Sequence, residues 1–276
     1  MNAGNSRVAR ALWIAWVVLA GASPAPAALV TMADGSSVVQ LDPATEELSN
    51  AWTVEGINHL RQQGYWYRLG DAGPEMPLPS LGPCRVTPLD TNDDGLVDFV
   101  RLKYTAASLP LSAEIVYTLI GGTEGSYTSD MGEGIRWVNT GRTPIDVRFF
   151  EYSDFNLNGE PEGDKIVIRG GNTATQTKGA LALCETVVTP PPTHFQAAPL
   201  GEILDALRDG RPTTLTDYAG PVTGDATWAF QWDFALGGGD TYVISRDTRL
   251  DLVPEPATLA LLGLGAVGLL ARRRRK

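Results

Sequence analysis

Trp228-Ala229-Phe230-Gln231-Trp232-Asp233-Phe234-Ala235-Leu236 sets a large apolar side chain at every second position, with small or polar residues between. That period belongs to a strand with one buried face, because successive side chains of an extended chain point to opposite sides. A helix would scatter the same rings around its circumference. Gly237-Gly238-Gly239-Asp240 then supplies a turn, and residues 241–245 are expected to return as the partner strand of a hairpin.

Outward from this stretch the same alternation recurs at residues 99–105, 113–120, 145–152 and 165–169, with Gly and Pro in the gaps. One segment departs from it. Leu200, Ile203, Leu204 and Leu207 follow the spacing i, i+3, i+4, i+7, with Pro199 before and Gly210 after, which predicts one short amphipathic helix. It is expected to cover an open end of the fold. Many short strands with almost no helix must bury their apolar faces sheet against sheet, so the expected fold is all-β, an antiparallel β-sandwich with one short helix. Proline-rich residues 72–88 are the best internal boundary.

The two ends of the chain are of another kind. Arg7 and Arg10 precede an apolar run at residues 11–20, and Ala25-Pro26-Ala27 offers small residues for cleavage, the pattern of a secretory signal peptide over residues 1–27. At the other end Pro254-Glu255-Pro256 precedes apolar residues 257–271 and the cluster Arg272-Arg273-Arg274-Arg275-Lys276. Two prolines bar a regular helix through the triplet, leaving an extended, protease-accessible linker. Residues 259–271 can form a helix of only about 20 Å against a hydrocarbon core of about 30 Å, so a single transmembrane helix here must borrow length from its flanks. The terminal cations hold that end on the cytoplasmic side, which places residues 28–252 outside. The glycines of Gly263-Leu264-Gly265-Ala266-Val267-Gly268 spell a dinucleotide fingerprint but lack the preceding strand, and read as small residues of a membrane helix.

Triplet, apolar helix and basic cluster, in that order over residues 253–276, resemble the PEP-CTERM sorting signal of Gram-negative bacteria. The resemblance implies export through the inner membrane and a transient membrane anchor. It also implies processing at Pro254, Glu255 and Pro256 by an exosortase, a membrane protease-transpeptidase, with release to the cell surface or the medium. An uncut tail anchor is the alternative. Residues 230–252 also look like the end of the β-rich bodies of other PEP-CTERM proteins, a resemblance that supplies no catalytic residues.

The chain carries 22 basic and 32 acidic residues; without Arg7, Arg10, the five tail cations and Glu255, the body keeps 15 basic and 31 acidic ones. Such a surface repels nucleic acid and anionic headgroups and admits cations. Cys84 and Cys184 are the two cysteines, an even count in an oxidising compartment, so a disulfide is expected, with two separate thiols as the alternative.

Asp90-Thr91-Asn92-Asp93-Asp94-Gly95-Leu96-Val97-Asp98 resembles the front half of an EF-hand or dockerin calcium loop. Asp90, Asn92 and Asp94 would supply side-chain oxygens, Leu96 its carbonyl and Asp98 a water-mediated contact to Ca2+, which takes six to eight oxygen ligands. Arg101 stands where the closing acid belongs, and the competing reading is an acidic turn whose side chains satisfy local amides. Asp154-Phe155-Asn156-Leu157-Asn158-Gly159 has similar spacing but one carboxylate among its first three ligand positions; Glu160, Glu162 and Asp164 would have to complete a second calcium site, and the favoured reading is a solvated loop.

Catalytic patterns are scarce. His59 and His194 lie in no zinc-binding spacing, and neither a nucleophile elbow nor a P-loop is present. The residues favour a non-enzymatic protein, structural or adhesive in an extracellular polysaccharide matrix. The alternative is a polysaccharide-active hydrolase using an Asp/Glu pair. Tyr65, Trp66 and Tyr67 are candidates for stacking on sugar rings of an exopolysaccharide, with core packing as the competing reading.

Overall fold

Eighteen strands form in a computed structural model that describes residues 29–252; burial alternates along several of them, whereas others, the stretch at residues 226–236 among them, are buried on both faces. The signal peptide read at residues 1–27 and the sorting segment read at 253–276 lie outside the described residues. In chain order the strands are β1 (Val30–Asp34), β2 (Ser37–Leu41), β3 (Ser49–Val54), β4 (Ile57–Asn58), β5 (Leu60–Leu69) and β6 (Met76–Pro77). There follow β7 (Cys84–Leu89), β8 (Phe99–Thr105), β9 (Leu111–Gly121), β10 (Ser129–Asn139), β11 (Ile145–Phe155) and β12 (Asp164–Arg169). The last are β13 (Thr173–Lys178), β14 (Leu181–Thr189), β15 (His194–Pro199), β16 (Val222–Gly224), β17 (Ala226–Leu236) and β18 (Thr241–Leu252), with one helix, α1 (Glu202–Arg208), before β16.

They form two nine-stranded sheets. The first runs β1-β2-β3-β5-β11-β17-β15, with β4 on β3 and β6 on β5; the second runs β16-β12-β13-β14-β18-β10-β9-β8-β7. The long pairings, β5 with β11, β11 with β17, and β10 with both β9 and β18, are antiparallel. The antiparallel sandwich read from the sequence is the observed fold. Inner faces meet across an aromatic core in which Phe155 stacks on Trp228 at 5.5 Å and Trp137 meets Phe149 edge-on at 5.5 Å.

Two expectations change. Trp228–Leu236 is a strand with its rings in the core, but it forms no hairpin with the segment after the turn: β17 pairs with β11 and β15, whereas β18 pairs with β10 and β14. Residues 237–240 carry the chain from one sheet to the facing one, and Phe234 stacks on Tyr242 across the gap with ring centroids 3.9 Å apart. A glycine turn reverses the chain in either arrangement; the buried faces of the flanking strands decide between them. The helix, in turn, does not cover an open end. Ile203, Leu204 and Leu207 lie on the outer face of the first sheet, against Trp66, Phe150, Tyr152 and Ala229. Trp66 and Phe150 are cross-strand partners, so β5 and β11 are apolar on both faces and their outer face needs a cover.

Candidate functional site

The chain crosses between the sheets at one end of the sandwich by two routes, and each carries acids. Asp154 is the penultimate residue of β11, and Asp164 opens β12 after a short 3-10 turn at Leu157–Gly159. Asp225 is the single residue between β16 and β17. Pairing of Asp164 with Gly224 and of Ser153 with Trp228 draws the three together.

Asp154 and Asp164 are each 1 % exposed. No hydrogen bond of good geometry reaches either carboxylate or Oδ1 of Asp225, although the Leu157 amide and the Gln176 side chain lie close enough to Asp164 to offset its burial in part. Arg61 Nε stands 3.3 Å from Asp154 Oδ2, and Lys178 Nζ 4.0 Å from Asp164 Oδ1. Lys178 is divided, because it also donates to the Glu160 carbonyl at 2.6 Å. Burial, then the charge of Asp225, pushes Asp154 up to about 7. Burial likewise pushes Asp164 up to about 6, against the pull of Lys178, and raises Asp225. His59 lies beside the 3-10 turn, its Nδ1 accepting the Asn158 amide at 3.1 Å, and burial lowers it to about 4, so it is neutral. Carboxyls that exchange protons near neutrality are the kind of group acid-base chemistry uses.

A second ionic group is sealed in the core. Arg246 of β18 is fully buried and bonds Glu133 of β10 and the hydroxyl of Tyr65, the latter at 2.7 Å. Its Nη1 lies 3.0 Å from Glu151 of β11 and 2.9 Å from Glu185 of β14. Ser153 donates to Glu151 at 2.5 Å, and the Tyr117 hydroxyl to that of Tyr65 at 3.1 Å. Three carboxylates face one guanidinium, and burial raises Glu133 and raises Glu151 well above the carboxylate range. The group ties both sheets together.

The residues singled out in the sequence are placed as follows. Tyr65, Trp66 and Tyr67 are all buried: the two tyrosines face the inter-sheet core and Trp66 faces α1, so no ring offers a sugar a free face. Cys84 and Cys184 are free thiols, a correction to the expected disulfide. They sit on β7 and β14, five strand positions apart in one sheet, or about 24 Å at about 4.8 Å per strand, far beyond the reach of an S–S bond.

Asp90, Asn92 and Asp94 share one exposed turn, but their side-chain oxygens accept the loop's own amides. Asp90 takes those of Asp93 and Gly95 at 2.8 Å, Asn92 that of Asp94, and Asp94 that of Leu96. Asp98 accepts the amide and hydroxyl of Thr91, at 2.8 and 2.7 Å. Leu96 is exposed. Among the described residues no group of three or more His, Cys, Asp or Glu is spaced to hold a metal ion. The run from Asp154 is not wholly a solvated loop: Glu160 and Glu162 are exposed, but Asp154 and Asp164 are interior. Asp225 escaped the sequence reading, since its partners lie about sixty and seventy residues upstream.

Among the described residues no helix is long and apolar enough to cross a membrane. Comparison with curated proteins yields no match. Among solved structures, a bacterial glucoamylase complexed with acarbose superposes with a TM-score of 0.57 at 7% identity, over 87% of this chain and 34% of its own. The chain therefore spans about a third of that enzyme. A putative aldose 1-epimerase from Escherichia coli superposes with a TM-score of 0.53 at 10% identity, over 82% of this chain and 99% of its own. At such identities the likeness is one of fold. Residues 252–276 match the PEP-CTERM protein-sorting motif, which begins at the last residue of β18, and by that motif the chain is a PEP-CTERM protein.

Proposed function

We propose that the sandwich is a non-enzymatic structural or adhesive component of an extracellular polysaccharide matrix, delivered across the inner membrane and freed at Pro254-Glu255-Pro256 by an exosortase-type membrane protease. The observation that carries this reading is the sorting motif at residues 252–276. Because β18 ends at Leu252, a cut within the triplet leaves both sheets whole. The acidic surface supports a partner that is neither nucleic acid nor anionic lipid.

C-terminal peptide mapping of protein recovered outside the cell tests the delivery step. The expected chain ends within or just before residues 254–256; recovery of an intact 272–276 terminus outside the cell overturns it. A second reading, a polysaccharide-active hydrolase with an Asp/Glu pair, draws support from the sugar-active names of the two fold neighbours. Release of reducing sugar from exopolysaccharide by the purified protein favours that reading, and retention without release favours the first.

A further inference from the structure

We propose that Asp154, Asp164 and Asp225 form a proton-operated latch at the two inter-sheet crossings: with protons held the crossings stay packed, and with all three carboxyls ionised this end of the sandwich opens. The geometry leads there. Five carboxylate oxygens of these residues are shielded from water and receive no hydrogen bond of good geometry, a cost that a native fold offsets with a proton, an ion or a solvent molecule. Protonation removes one charge from the crowd and with it the cost of burying that charge.

The surroundings do not neutralise the ionised state. From β5 comes Arg61, more than half exposed, and from β13 Lys178, shared with Glu160. The crossing loop adds Glu160 and Glu162, so five acids face two cations. Gln176 of β13 gives its amide to the Phe155 carbonyl at 2.7 Å, and with the Leu157 amide it offsets the burial of Asp164 only in part. Arg208 of α1 pairs with Glu46, and Tyr152 and His59 stay uncharged near neutrality.

The folded chain holds protons that the unfolded chain releases near pH 4. The stabilisation is therefore complete below about pH 4 and falls as pH rises through about 6 and 7, where Asp164 and Asp154 ionise. Hydrogen exchange on the full chain in detergent, corrected for intrinsic rate, reads this at pH 5.5 and pH 8. Peptides over residues 154–166 and 220–228 are expected to lose at least tenfold in protection at pH 8, while those over 111–121 hold. In the double variant Asp154→Asn, Asp164→Asn the loss should shrink below threefold; an undiminished loss overturns the latch. If that variant does not fold, Arg61→Gln serves instead: without the cation the opening midpoint should move to higher pH, and an unmoved midpoint overturns the proposal. Restoration of protection at pH 8 by millimolar calcium in the unmodified chain also overturns it, in favour of a cation site.

Discussion

At Arg246 one guanidinium bonds or faces Glu133, Glu151 and Glu185 where water does not reach. Removing one partner of such a group leaves uncompensated charge, at a cost of about 3–5 kcal/mol, whereas an apolar replacement of similar volume can be far milder. Arg246→Ala is therefore expected to lower stability by about 3–5 kcal/mol at pH 7, read from the urea midpoint, and to lose less at pH 4.5, where Glu133 and Glu151 are more fully protonated. An equal loss at both pH values would mean that packing, not charge, sets the cost. At this scale too the thiols are free: intact mass before and after reductant should agree, and a gain of about two mass units on reduction would restore the Cys84–Cys184 bond. Neither result was readable in the sequence. Arg246 alternates between Ser245 and Asp247 like any strand residue, and cysteine count says nothing of the strands lying between two positions.

At the scale of elements, α1 is only seven residues long, about two turns, yet it lies against the outer face of β5, β11 and β17. Leu207 is 1% exposed there, so Leu207→Ala is expected to cost about 2–5 kcal/mol in the urea midpoint. A cost below 1 kcal/mol would show that the helix is only loosely laid on the sheet. Alternation made the strand at Trp228–Leu236 legible, and the i, i+3, i+4, i+7 spacing made the helix legible. Their relation was not. Period two tells which residues share a face but not what covers the other one, and so Trp66, expected to be a candidate sugar platform, lies beneath the helix. The glycines at 237–239 marked a reversal correctly, but a turn is a local signal and the choice between hairpin and inter-sheet crossing is made by strands β11, β10 and β14, far away in sequence.

For the whole molecule, the composition and turn spacing sufficed for the sandwich class, because strands with one apolar face have few other ways to bury it. The acid cluster at the crossings arises only from topology: Asp154 and Asp164 are ten residues apart, and Asp225 joins them because β16 pairs with β12. The sorting motif, by contrast, is a contiguous string and was legible whole.

β18 lies in the interior of its sheet, laced along most of its length to β10 on one side and β14 on the other, and the sorting motif begins at its last residue. A pull along the axis of β18 would load both of its rows of backbone bonds in shear. Rupture would have to slide two full rows of backbone bonds at once instead of unzipping them singly. Loaded in that direction, β18 would hold as a lap joint does.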